Sequence, residues 1–353
     1  MISRSIFRLC KSQRVFGRLK NDSIRTLSSS ARSSKECSDI EVEVPWGKVA
    51  GKLWGSKDVQ PILAIHGWQD NAGSFNELIP LLPSDTSVLA IDLPGHGLSS
   101  WLPKGLMYNE VIYLLVLQRL KRHFGWERMK IIGHSLGAQL SFWHTSVFPE
   151  ETQFVVAIDA IKFPEINVAK YNRAFGKAID TLFKIENIST PPVKYTREEI
   201  IERWKAAGVG VLDNHICETL MIRGTTELED GKYVFNRDPR LKVLPIQSSF
   251  TQEHLQQMAQ LITCPYLFIK AKESTFFEKK ENVFAMIDIM KQKNKDVFFE
   301  TLPGSHHLHI SHARSVADAV RRRCQTNATT FRKYESYDQN ETVTAALSHE
   351  CYK

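Results

Sequence analysis

From about residue 40 onward, short β-rich apolar runs alternate with longer stretches of helical spacing. Residues 41–44 alternate polar and apolar positions and face residues 48–54 across Pro45-Trp46-Gly47, which predicts an opening hairpin. Four continuous apolar runs follow, at 61–65, 87–91, 129–132 and 154–158. Each ends in a turn signal and leads into a helical pattern, as strands covered on both faces require. A further pair of strands, 265–269 and 296–300, flanks a helical pattern over 282–291. Between the two groups, residues 163–260 are charged and helix-rich without a strand rhythm, and predict an inserted helical cap. The expected architecture is α/β, a mostly parallel sheet with helices on both faces. Residues 36–162 and 261–324 form its core, and a polar tail of expected flexibility occupies 325–353.

Composition narrows the picture. A chain of 353 residues with 42% hydrophobic residues suits one large domain or two modest ones and excludes general disorder. No apolar run approaches the roughly 18 residues that cross a bilayer, so no membrane span is expected. The net charge of +7 is concentrated at one end. Residues 1–35 hold nine basic residues and one acid, Asp22, leaving 37 basic against 38 acidic residues elsewhere. A nearly neutral body gives no reason to expect a nucleic-acid partner. The basic segment is rich in Arg and Ser with apolar residues interspersed, which predicts a mitochondrial transit peptide. Cytoplasmic or peroxisomal residence is the alternative. Six scattered cysteines without a C-x-x-C pair predict reduced thiols.

The strongest motif is Gly133-His134-Ser135-Leu136-Gly137, which directly follows the strand pattern ending at Ile132 and directly precedes the helical pattern beginning at Ala138. G-x-S-x-G between a strand and a helix places a serine on a sharp turn, its hydroxyl projecting above the sheet edge. The helix N-terminus behind it favours negative charge developing on a substrate oxygen, with the Leu136 N–H as one donor. The loop holding His66-Gly67-Trp68-Gln69-Asp70-Asn71 is placed to supply a second donor, Trp68 N–H. Trp68 and the His134 region would also touch substrate.

These motifs, with Asp92-x-Pro94-Gly95-His96-Gly97-x-Ser99 and a late histidine, resemble the α/β-hydrolase family over about residues 40–322. The segments Arg223-Gly224-Thr225-Thr226 and Arg237-Asp238-x-Arg240-Leu241 narrow the resemblance to the serine hydrolase-like proteins. The resemblance implies a serine hydrolase in which the base is a histidine late in the chain. His306, in Leu302-Pro303-Gly304-Ser305-His306, stands in the required place. A metal site on His306, His309 and His312 is suggested by their H-x-x-H spacing, but no acidic partner cluster is visible in the sequence, so no metal and no cofactor are expected. The acid departs from the family pattern, because Ser274 stands where an aspartate would usually be. Glu273 is preferred, with Asp159 at the end of the sixth strand and Glu278 as alternatives.

The expected reaction is acyl transfer from a small-molecule ester to water through Ser135. Serine at this position argues against dehalogenase or epoxide-hydrolase chemistry. An acyltransferase, or a binding protein that has lost turnover, are the alternatives, the latter favoured by the irregular acid. The cap aromatics Tyr171, Phe175, Phe183, Trp204 and Tyr233 are candidates for an apolar entrance, although packing of the cap is the commoner use of such side chains. Oligomeric state is left open by the sequence.

Overall fold

The computed structural model describes residues 35–165, 167–187, 192–207, 212–243, 250–276 and 278–326. Most of the basic segment 1–35 and all but the first two residues of the tail 325–353 lie outside these. Strands β1 (Cys37–Val44) and β2 (Gly47–Trp54) form the opening hairpin. Then come β3 (Ile62–Ile65), β4 (Val88–Ile91), helix α1 (Glu110–His123), β5 (Met129–His134), α2 (Leu136–Val147) and β6 (Thr152–Ile158). A helix-rich stretch carries α3 (Val168–Glu186), α4 (Arg197–Ala207), α5 (Asn214–Gly224), a short hairpin of β7 (Thr225–Glu227) and β8 (Tyr233–Phe235), and α6 (Gln252–Ala259). The chain returns through β9 (Tyr266–Ala271), α7 (Lys280–Lys293), β10 (Val297–Leu302), the single turn α8 (Leu308–Ser311) and α9 (Ala313–Thr326).

Eight strands make one sheet in the order β1-β2-β4-β3-β5-β6-β9-β10. Only β1–β2 and β2–β4 pair antiparallel; every other neighbour is parallel. The strand order reverses between β3 and β5, and the carboxyl ends of strands at such a crossover form a crevice suited to a ligand. Side-chain alternation assigns each strand to two cores. Leu63 and Ile65 of β3 and Leu89 and Ile91 of β4 join α1, α2, α6 and α7 on one face. Ile62 and Ala64, with Val88 and Ala90, join α9 and the loop helices around Phe75 and Ile79 on the other. A separate apolar cluster, built on Ile200, Trp204, Ile216 and Leu220, holds α4 and α5 together. No helix among the described residues is long and apolar enough to cross a membrane.

The helix-rich insertion is tied to the sheet by buried charge. Asp92, after β4, is fully buried and accepts the Arg223 Nε of α5 at 2.6 Å, together with the backbone N–H groups of Ala72 and Leu98. Arg240 pairs with Asp238 and donates to the carbonyls of Leu102, Pro103 and Leu106. Tyr108 donates its hydroxyl to Asp238 as well. The motifs around Asp92, Arg223 and Arg237 to Leu241 therefore lock loops together. Removing one member of such a buried pair strands a charge, a loss of about 3–5 kcal/mol.

The core also contains a neutral imidazole. His144 of α2 lies fully buried, its Nε2 accepting from the Gln118 amide at 3.0 Å and its Nδ1 facing Thr152 Oγ1 at 3.3 Å. Burial pushes the ring from its ordinary 6.5 down to about 4, although Glu151 pulls the other way. As pH falls, the unfolded chain takes up this proton before the folded one. The stability contributed by the neutral ring is therefore complete above about pH 6.5 and is lost as pH falls toward 4, by about 3 kcal/mol. His144→Gln, which cannot titrate, is expected to make Tm less dependent on pH across this window. Identical acid sensitivity in the variant and the wild type, followed by calorimetry, would show that His144 plays no such part.

Candidate active site

Ser135 sits between the last residue of β5 and the first of α2, with φ 50° and ψ −113°. A non-glycine residue reaches such a backbone only where its surroundings over-determine it. Here two close approaches do so. A Cβ on Gly137 would stand 2.0 Å from the Ile65 carbonyl oxygen of β3, and one on Gly133 would stand 2.4 Å from the Gly137 carbonyl. Glycine at both positions lets β5, α2 and β3 meet. Ser135 N–H donates to the Ile158 carbonyl of β6 at 3.0 Å, and the Ser135 carbonyl accepts from Ala138 and Gln139. Leu136 opens α2, so its N–H is one of the helix's first four and has no intrahelical acceptor.

The loop after β3 is fixed by two buried histidines. His66 accepts the Leu93 N–H through Nε2 at 3.0 Å while its Nδ1 donates to the Gly67 carbonyl. His96 accepts the Gln69 N–H through Nε2 at 3.1 Å and donates to the Pro94 carbonyl. Both rings are driven below the ordinary imidazole range chiefly by burial, which keeps them neutral and able to accept. Gln69 adopts φ 63°. Trp68 lies partly buried between these anchors, edge-on to His96 and Tyr113.

His306 follows β10 and lies beside the elbow. Its carbonyl accepts the His134 Nε2–H at 3.0 Å, and the two rings are 4.7 Å apart. Its Nδ1 meets Asp159 Oδ2 at 2.6 Å. Asp159 directly follows β6 in a left-handed conformation, φ 56°. Four donors converge on it. Ala271 N–H and Lys270 Nζ reach Oδ1 at 2.9 and 2.5 Å, while Ser274 Oγ and His306 reach Oδ2, both at 2.6 Å. Burial alone would raise this carboxyl, but these bonds hold it below the usual carboxylate range. Burial pushes His306 itself down to about 4, only partly offset by Asp159. The ring is neutral at physiological pH.

The carboxylate preferred from the sequence, Glu273, is not the one at His306. Its side chain is exposed, and its backbone N–H donates to the Gly304 carbonyl, which turns the residue along the loop edge. Glu278 is occupied elsewhere, paired with the buried Lys162 at 2.5 Å. Of the late histidines, His307 and His309 are buried and His312 is exposed. Among the cap aromatics, Trp204 is buried in the α4–α5 cluster, Phe175 and Phe183 are exposed, and Tyr171 and Tyr233 are intermediate. Sequence reasoning missed Lys270, a lysine inside an apolar strand that has to find a buried partner, and Asp70, discussed below.

Comparison with known proteins agrees with this fold. Residues 60–181 match the model of the alpha/beta hydrolase fold family. A "probable serine hydrolase" of Drosophila melanogaster is 37% identical over 278 residues, 77% of this chain and 83% of the relative. The chain belongs to the serine hydrolase-like proteins of the α/β-hydrolase family. Human serine hydrolase-like protein 2 is 33% identical over 295 residues, 80% of this hydrolase and 92% of that protein. Among solved structures, a hypothetical protein from Pseudomonas aeruginosa PAO1 superposes with a TM-score of 0.69 at 27% identity, covering 79% of this hydrolase and 96% of that chain. The thioesterase domain from the curacin biosynthetic pathway, at 20% identity and a TM-score of 0.65, shares the fold, with 81% and 99% covered.

Proposed function

We propose that this hydrolase cleaves esters or related acyl substrates through an acyl-enzyme on Ser135, with His306 as base and Asp159 as the acid that orients it. The 2.6 Å contact between His306 Nδ1 and Asp159 Oδ2, beside the strained turn of Ser135, carries the reading. A carboxylate accepts the Nδ1–H, so Nε2 is left with a lone pair to take the Ser135 proton. The Ser135 oxygen then attacks the substrate carbonyl. The resulting oxyanion is held by the N–H groups of Leu136 and Trp68. Collapse of this intermediate expels the alcohol, which leaves with the proton from His306. A water molecule, deprotonated by the same ring, attacks the acyl group, and the acid departs as Ser135 recovers its proton. The missing aspartate after β9, which favoured a degenerate binding protein, is made good from β6.

For this mechanism, Ser135→Ala and His306→Ala are expected to abolish hydrolysis of short-chain nitrophenyl esters without lowering Tm appreciably. Asp159→Asn is expected to lose about a hundredfold or more in kcat, and Glu273→Gln less than about threefold. A large loss at Glu273 with little at Asp159 would reverse the assignment, and full turnover in either alanine variant would refute the mechanism.

We also propose a mitochondrial destination, supported by the charge distribution, since the basic excess lies in residues 1–35 and the catalytic body does not need it. Residues 1–27 fused to a fluorescent reporter are expected to deliver it to mitochondria. A diffuse cytoplasmic or a peroxisomal pattern would contradict this.

A further inference from the structure

Behind the elbow lies a second group of side chains that the hydrolytic mechanism does not use. Asp70, His134, His307 and His309 come from the loop after β3, the end of β5 and the loop and turn after β10, and all four are buried. His307 Nε2 lies 3.2 Å from Asp70 Oδ1, and His134 Nδ1 lies 3.2 Å from Asp70 Oδ2.

The second of these contacts is anomalous. His134 Nε2 faces the His306 carbonyl at 3.0 Å, and a carbonyl can only accept, so Nε2 carries the hydrogen. A neutral ring with its proton on Nε2 has a bare lone pair on Nδ1. A carboxylate oxygen, another acceptor, lies 3.2 Å from that nitrogen. Neither Asp70 Oδ2 nor His134 Nδ1 has a hydrogen-bond partner, and both are fully shielded from water. Two buried acceptors facing each other at 3.2 Å repel unless something positive lies between or beside them. The carbonyl contact also acts as the outer hydrogen bond that a metal-ligating histidine ordinarily makes, fixing its tautomer with the ligating nitrogen inward.

The dimensions suit a small divalent metal. The ligand atoms of Asp70, His134 and His307 lie within 4.8 Å of one another. Bonds of 2.0–2.1 Å in a tetrahedron place neighbouring ligand atoms about 3.3 Å apart, close to the 3.2 Å from His134 Nδ1 to Asp70 Oδ2 and to the 3.2 Å hydrogen bond from His307 Nε2 to Asp70 Oδ1, one histidine at each carboxylate oxygen. Space is kept open by Gly67, where a Cβ would stand 2.8 Å from Asp70 Oδ2 and 2.9 Å from His134 Nδ1. His309, whose two ring nitrogens are also buried without partners, lies with its ring 4.1 Å from that of His134. It adds a neutral nitrogen donor beside the three. We propose that Asp70, His134 and His307 bind one divalent transition-metal ion of the zinc class, with the fourth position open. Two histidines and one carboxylate are a donor set that takes zinc and its neighbours in preference to calcium or magnesium, which seek oxygen ligands. The site stands apart from hydrolysis, which requires no metal in the mechanism above.

The full-length protein, stripped with chelator and dialysed, can be titrated with zinc chloride by calorimetry and with cobalt chloride by visible absorption. The expected result is one equivalent of zinc with a Kd in the micromolar range or tighter, a Tm raised by several degrees at a hundredfold excess over Kd, and the intense cobalt bands of a four-coordinate site. Asp70→Asn replaces the anion while giving His134 Nδ1 a donor, so it is expected to fold and to weaken zinc binding at least about a hundredfold. His307→Gln is expected to weaken it similarly, whereas His312→Ala, which removes an exposed histidine, should bind like the wild type. Failure of the wild type to take up zinc, which would leave a proton on His134 as the positive group, overturns the proposal. So does undiminished binding by both Asp70→Asn and His307→Gln, or loss of binding in His312→Ala.

Discussion

The close crossing of β3, β5 and α2 at Ser135 is the constraint on which the remainder of the site depends. The Gly137 Cα approaches the Ile65 carbonyl so closely that a methyl group would have to overlap it at 2.0 Å, so helix and strand can be brought together only without side chains there. Once they are together, the serine has little choice of backbone, and its hydrogen bond to Ile158 ties the turn to β6. The same bond ties the elbow to the strand that leads into Asp159. Ser135 and Asp159 are thus placed by adjacent parallel strands, while His306 comes from a loop beyond the next two. Parallel strands buried on both faces are rigid supports, which is what a site needs to hold its geometry within a fraction of an ångström.

Around this crossing, several buried polar side chains restrain loops. His66 and His96 serve as acceptors for backbone N–H groups and so pin the loop that carries Trp68. Asp92 and Arg223 join that region to α5, and Arg240 reaches three carbonyls of the segment before α1. Loops with no regular ladder of their own must satisfy their backbone groups somehow. In this protein the side chains of histidine, aspartate and arginine do so, leaving the carboxyl edge of the sheet ordered. The inserted helices consequently hang from specific ion pairs as well as from an apolar contact.

Much of this was legible in the sequence. The strands were visible because burial on both faces makes them continuous apolar runs, and the elbow was visible because glycine, serine and glycine have to fall between a strand and a helix. The carboxylate that meets His306 was not the preferred one because position along the chain was weighed above the geometry of strand ends. Glu273 is adjacent to the expected position, but its backbone runs along the Gly304 loop, and Ser274 instead donates to an aspartate 115 residues away. Only three-dimensional proximity of β6 and β9 reveals that pairing. The buried role of His307 was equally hidden, since its partner Asp70 lies 237 residues away in the chain. The short β7–β8 hairpin escaped notice because three residues on each side give no periodicity to detect.

The central claim is that Ser135 is a nucleophile poised by its neighbours, and the most direct measurement is the intact mass of the purified protein after brief exposure to a fluorophosphonate, followed by peptide mapping. An activated serine displaces fluoride and retains the phosphonyl group, whereas an ordinary hydroxyl does not react on this time scale. The account predicts a single adduct per chain, located on Ser135, formed more slowly in Asp159→Asn and absent in Ser135→Ala. An unmodified wild-type protein, or an adduct on any other residue, would contradict it.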